Sequence, residues 1–384
     1  CAMRLNNWVM SASSVKWVRL GDYIERSMVN NSNLKYGAEF IEGVNSDGVF
    51  CKSKANTIDI NLKPYKIVNN GDFVYNPSRL NIGSLAYRTT GMCIVSHLYV
   101  VFHLTDNGKK KFLPDFLYMY FKRKEFLRLV TFLNLGSQRP EFNFYDMSEI
   151  IVPMPDLDIQ KRIVDTYNGL KALAEQNEAL IEPLSKACEA FIVDCKTKYP
   201  EVELGEYIEL CDERNSDGKY TLDDVRGISI QKKLIFTKAD MQGVSLTPYK
   251  FLKPREFSYV TVTSRNGGKI SLAINDTENT YIVSSSYENF RCKDVSKLLP
   301  EYLFLLLSRS EFDRYSRFNS WGSARETFDW SELCRVKIPL PPIEEQRSIV
   351  NIYTCLEEAK KIASEAREKL KTLCPALVQR AANS

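Results

Sequence analysis

The strongest constraint on this chain is that its second half repeats its first. The segment Pro153-Met154-Pro155-Asp156-Leu157-Asp158-Ile159-Gln160-Lys161-Arg162-Ile163-Val164 returns 186 residues later as Pro339-Leu340-Pro341-Pro342-Ile343-Glu344-Glu345-Gln346-Arg347-Ser348-Ile349-Val350. The same offset lays Gly136, Ser137, Arg139 and Phe142 on Gly322, Ser323, Arg325 and Phe328, and Leu113-Pro114 on Leu299-Pro300. Upstream the offset becomes 184, where Leu20-Gly21 meets Leu204-Gly205 and Tyr65-Lys66 meets Tyr249-Lys250. Chance produces one such match, not an ordered series, so the chain is two tandem copies of one unit. The period is far too long for a solenoid repeat, so each copy is a domain with an appendage.

Short runs rich in β-branched and aromatic residues open each copy, separated by Gly, Asn and Pro. They include 65–68, 72–75, 92–95 and 98–103 in the first copy, and 257–263 and 269–273 in the second. One helix is expected over 113–130 and its counterpart over 299–318, with Pro114 and Pro300 in the tolerated first turn. A short strand then runs into the proline cluster, where proline should end the strand and pre-set a helix.

The helix that follows is long. Ile163, Tyr167, Leu170, Ala174, Asn177, Ile181 and Leu184 alternate at spacings of four and three, which is the a/d rhythm of a coiled coil. The second copy gives Ile349, Tyr353, Leu356, Lys360, Ala363, Arg367 and Leu370, with Lys360 and Arg367 spoiling the seam. Pro183 should kink or restart the first helix. The fold class is therefore α+β: two α/β domains in a pseudo-twofold tandem repeat, each followed by a long helix, the two helices pairing antiparallel. The alternative is that each helix merely covers its own domain.

With 384 residues, 44% of them hydrophobic, the chain can bury two cores. Its 52 Lys plus Arg against 48 Asp plus Glu leave a net charge of +4, so any polyanion partner must meet basic residues gathered on particular faces. Ten cysteines without a C-x-x-C pair, and two histidines, argue against structural zinc. Cys188, Cys195, Cys355 and Cys374 read as buried, reduced thiols on helices, which suggests a cytoplasmic setting. No apolar run is long enough to cross a bilayer, so no membrane partner is expected, and no signal peptide is apparent. The start at Cys1 reads as a trimmed end.

Two variable domains, each followed by a proline-led helix of the type Ile338-Pro339-Leu340-Pro341-Pro342-Ile343-Glu344-Glu345-Gln346-Arg347, resemble the specificity subunit of Type I restriction–modification systems. The resemblance runs from about Trp17 onward. In the first copy Met154 and Asp156 replace Leu and Pro, while Gln160 and the basic residue after it remain. The resemblance implies an N-terminal extension (1–16), target-recognition domains at 17–152 and 201–338, and helical spacers at 153–200 and 339–384. It implies that each domain reads one half of a split double-stranded DNA site. The helices would act as a ruler and dock two methyltransferase subunits, with restriction subunits joining for cleavage. S-adenosylmethionine and ATP would sit on those partners, and none on this chain.

The ruler makes physical sense, because a helix rises ~1.5 Å per residue and 25 residues reach about 38 Å. The major groove repeats roughly every 34–36 Å. Base edges carry specificity while phosphates carry affinity. Candidate DNA-binding residues lie in polar loops: Arg79 and Asn81, Ser137, Gln138 and Arg139 in the first copy, and Arg265, Asn266 and Lys269, Ser323 and Arg325 in the second. Glycine beside arginine would let backbone approach DNA while the guanidinium forks to guanine or phosphate. Arg139 and Arg325 occupy equivalent positions, which favours phosphate binding or a structural role over base reading. The clusters 109–111 and 122–124 read as solvated surface or backbone contact. His97 and His103 read as ordinary strand residues.

No catalytic residues are expected. Asn76-Pro77-Ser78-Arg79 lacks the second proline and the aromatic of an adenine-methyltransferase tetrapeptide, and no Walker-type phosphate loop appears. Two other readings stand beside the first. One is the reader of a Type IIB-like or orphan methylation system. The other is a coiled-coil scaffold without DNA contact, which a positive concave face on each domain would exclude.

Overall fold

In a computed structural model, residues 15–52, 60–133, 141–237, 239–263, 268–322 and 325–383 are described. The chain divides into two units, one of residues 1–176 with 362–384 and the other of residues 177–361. Each unit is built the same way.

In the first unit, strands Ile24–Arg26, Val100–Leu104, Phe73–Tyr75 and Leu85–Tyr87 form a four-stranded antiparallel sheet in that order. Two-stranded ladders surround it: Glu42–Val44 with Phe50–Lys52, Lys66–Val68 with Cys93–Val95, and Lys16–Arg19 with Ile151–Met154. The second unit repeats the sheet with Ile208–Cys211, Tyr287–Cys292, Phe257–Val260 and Leu272–Ile274. At each sheet's centre two phenylalanines lie directly opposite and stack: Phe73 on Phe102 at 5.1 Å, and Phe257 on Phe290 at 4.7 Å. Such cross-strand aromatic pairs fix the register of both central strands.

Three repeated sequence features acquire structural reasons. Gly21 and Gly205 pass against the ends of short helices, where an added Cβ would stand 2.9 Å from Ser148 Cβ and 2.7 Å from Cys334 Cβ. Only glycine fits there. Asn31 and Asn215 are fully buried, and each side chain closes a turn by bonding both the N–H and the C=O of a tyrosine, Tyr36 or Tyr220. Gln160 and Gln346 are likewise fully buried inside the proline-led helix starts.

Pro153 does not end its strand. It lies within Ile151–Met154 opposite Trp17, in a two-stranded ladder that spares its missing donor. The helix expected over 113–130 is two, Pro114–Phe121 and Lys124–Leu133, and its counterpart splits into Pro300–Leu307 and Ser310–Phe318. The break lets a second apolar face, Phe126 and Val130 or Phe312, reach the core. It also draws Arg123 inside, where its guanidinium pairs with Glu125 and donates to Gln379. Arg123 is therefore not part of a solvated cluster.

The long helices are Leu157–Lys198 and Ile343–Asn383. In the first unit, Ile163 and Val164 near the start of one share a core with Leu377, Val378 and Ala381 near the end of the other. In the second unit, Cys188 and Ile192 near the end of the first share a core with Ile349 and Leu356 near the start of the second. Head meets tail in both units, as an antiparallel pair requires. The first helix does not restart at Pro183, which is exposed and leaves the helix uninterrupted.

The seam expected in the second helix needs correction. Lys360 is exposed, and Ala359, Ala363 and Ala366 are buried, followed by Leu370, Leu373 and Leu377. The apolar stripe slips by one residue at 359 and 366, which keeps both charges off it and leaves small side chains in their place. Cys188 and Cys195 are buried free thiols, whereas Cys355 is exposed.

Candidate nucleic-acid interface

In each unit the loops singled out from sequence are joined at their base by backbone hydrogen bonds. In the first, Asn76 turns the chain out of the sheet: its amide oxygen accepts from Ser78 N at 3.0 Å, and its carbonyl accepts from Arg79 N at 3.0 Å. The chain that returns after 134–140 is tied to this turn, Phe142 N donating to Pro77 O at 3.0 Å. In the second, Phe328 N donates to Thr261 O at 2.8 Å, and Thr263 N to Glu326 O at 3.0 Å. The loops singled out from sequence thus share a base within each copy.

Ser137, Gln138, Arg139, Arg265, Asn266 and Ser323 lie outside the described residues. Of the rest, Arg79 precedes the short turn Leu80–Ile82 and Asn81 lies within it; both are exposed and they line different hollows. Asn81 joins Lys124 and Arg128 on a shallow surface. Lys269 and Arg325 are exposed at the edges of the second unit's loops. Gly322 serves a tight reversal, since a Cβ there would meet Arg325 O at 2.2 Å; close approach to DNA is not needed to explain it. Nearby, Trp321 bridges Thr327 and is itself exposed, as is Phe318.

Arg79 lines a cleft of about 390 Å³ together with Arg26, Lys66, His97, Leu98 and Glu141. Arg26 ends an edge strand and Lys66 begins one. His97 sits in the turn between Cys93–Val95 and Val100–Leu104, not in a strand, whereas His103 is in a strand. The Lys66 side chain is buried and donates to Tyr99 O at 2.5 Å. Among the described residues it has no carboxylate partner. Burial, and then the neighbouring Arg26, hold its ammonium below the usual lysine range. Sequence reading missed Lys66 as a site residue, although Tyr65-Lys66 recurring as Tyr249-Lys250 marked the position.

Among the described residues no cluster of His, Cys, Asp and Glu is arranged to hold a metal ion, and no helix is long and apolar enough to cross a membrane.

The S subunit of the Type I restriction–modification system of M. genitalium has a similar fold, with a TM-score of 0.60 at 12% identity over 98% of both chains. The HsdS subunit of Thermoanaerobacter tengcongensis aligns over 96% of this chain and 97% of its own at 17% identity, with a TM-score of 0.40. No curated protein sequence matches the chain. The sequence profile of the Type I restriction modification DNA specificity domain (Methylase_S) matches twice, at residues 16–184 and 203–372. Those two stretches take in both sheets, both sets of loops and most of both long helices, and the chain belongs to this family of DNA specificity domains.

Proposed function

We propose that the chain is the non-catalytic, DNA-reading subunit of a Type I restriction–modification complex. Each copy contacts one half of a bipartite site, through loops whose bases are joined at Pro77 and Thr261. The two proline-led helices set the separation of the half-sites and dock two methyltransferase subunits, with restriction subunits added for cleavage. S-adenosylmethionine and ATP are bound by those partners. The observation that carries this reading is the duplication itself: two family matches, each uniting a loop-bearing sheet with one long helix. A duplicated reader on one polypeptide suits a target read in two separated pieces.

Genome-wide mapping of methyladenine in cells carrying the chain with its methyltransferase tests it. A split motif with a fixed unread spacer is expected. Deleting one heptad from each helix removes about 10 Å of rise and should shorten that spacer. A contiguous motif, or a spacer indifferent to the deletion, would contradict the reading.

A further inference from the structure

The two copies share a fold but carry different charges at the positions around the Arg79 cleft. The sheet registers make the comparison residue by residue. Arg26 lies opposite Phe102 and Leu210 opposite Phe290, the two central stacked phenylalanines, so Arg26 and Leu210 are counterparts. Val100 faces Tyr75 as Glu288 faces Tyr259. Asn30 bridges Lys66 as Arg214 bridges Lys250, which places Met28 at the position of Asp212. Counting from the same strands, Arg79 corresponds to Thr263 and His97 to Ser285.

In the second copy, Lys250 is enclosed by carboxylates, with Asp212 Oδ1 at 3.2 Å and Glu288 Oε2 at 3.3 Å. Its charge is neutralised inside the protein. The counterpart of Arg79 there, Thr263, is buried and bonded to Ser320 Oγ and Glu326 O. In the first copy both carboxylates are missing, replaced by Met28 and Val100, two arginines are added, and Glu141 is the one carboxylate among the described residues that line the cleft. Lys66 therefore keeps a buried charge whose one hydrogen-bonded partner among the described residues is a backbone carbonyl. A buried cation costs free energy unless an anion meets it, and the cleft opens it to one. Its volume is within the range of small-ligand sites, about 300–1,000 Å³.

We infer that the cleft of Arg26, Lys66 and Arg79 seats a backbone phosphate of DNA, and that the second copy has no such seat. The inference rests on the DNA-reading function and adds an asymmetry to it: one half-site is held by a phosphate clamp that the other lacks. Lys66 supplies a fixed charge from below, while the exposed Arg26 and Arg79 close on the phosphate oxygens from the rim.

The test is binding of the full chain to fluorescein-labelled duplexes of several unrelated sequences, each titrated at several NaCl concentrations. Each phosphate neutralised contributes about 0.9 to the slope of log K against log salt. Lys66→Met and Arg26→Gln should each flatten the slope, up to about 0.9 for the pair together, with the same loss on any sequence. Arg26 is exposed, so Arg26→Gln remains informative if Lys66→Met folds poorly. The double variant Asp212→Met, Glu288→Val copies the first-copy residues around Lys250 and should steepen the slope. Variants that leave the slope at its wild-type value overturn the phosphate seat. So does a loss confined to one target sequence, which would mark the cleft as a base reader. If the wild-type chain binds no duplex even at low salt, the DNA-reading function fails instead.

Discussion

Gln160 and Gln346 stand 186 residues apart in sequence and make the same three hydrogen bonds. Each amide N–H₂ donates to two carbonyls, Lys111 O and Pro155 O at 2.8 Å for Gln160, Lys297 O at 2.8 Å and Pro341 O at 2.9 Å for Gln346. Each amide oxygen accepts from a leucine N–H at the start of another helix, Leu113 N at 2.8 Å or Leu299 N at 2.9 Å. One side chain thus ties the head of the long helix to the proline turn before it and to the helix of its own domain. Leucine at either position fills the space but leaves three backbone groups unpaired. At about 1–3 kcal/mol for each unsatisfied group, Gln160→Leu and Gln346→Leu should each lose at least about 3 kcal/mol in urea unfolding. A loss near zero would show that the bracket is dispensable.

A second prediction concerns Lys232, which holds a left-handed backbone (φ 59°) and is buried. Its ammonium meets Asp313 Oδ1 at 2.6 Å and Ile270 O at 3.3 Å. Removing one partner of a buried pair strands the other, so Asp313→Ala should cost about 3–5 kcal/mol. The double variant Lys232→Met, Asp313→Leu should recover most of that loss. A double variant as unstable as the single one would contradict the electrostatic explanation.

Much of this architecture was legible in the sequence because it was written twice. The offset fixed the copies, the proline-led helices and their cores, and all seven a/d positions named in the first helix are buried or half-buried. What could not be read was position within a local pattern. Lys360 and Arg367 stood at heptad positions, and only the packing of Ala359 and Ala366 shows that the stripe slips past them. Neither glycine nor proline marks the breaks near Arg123 and Arg309; the break follows from the need to bury a second helix face. Lys66 looked like an ordinary strand lysine, because its missing carboxylates are distant in sequence. The structure brings Arg79 into one cleft with Lys66, but turns Asn81 to another surface.

Pro183 supports a third prediction. It is exposed and interior to a continuous helix, where it supplies no N–H to the turn before it. Pro183→Ala should stabilise the chain, by up to about 3 kcal/mol, read from the urea midpoint. Destabilisation would mean that the proline serves a bend the helix requires.

The pH dependence of Lys66 gives a fourth. Its folded-state value lies below the ordinary 10.5 because of burial and then Arg26. The unfolded chain therefore binds more protons in the window between the two values, and this group's contribution to stability rises with pH there. Below the folded value the penalty is complete. Lys66→Met should thus raise Tm near neutral pH, with the gain fading as pH climbs toward 10.5. A difference that does not change with pH would show that the lysine's charge is not the cause.

The central claim is that one chain carries two independent readers. Exchanging residues 17–152 for the same segment of a family member with a different target, then mapping methyladenine across the genome, tests it most directly. The account predicts a motif altered in its first or its second half alone, with the other half and the spacer retained. A motif changed in both halves would contradict it.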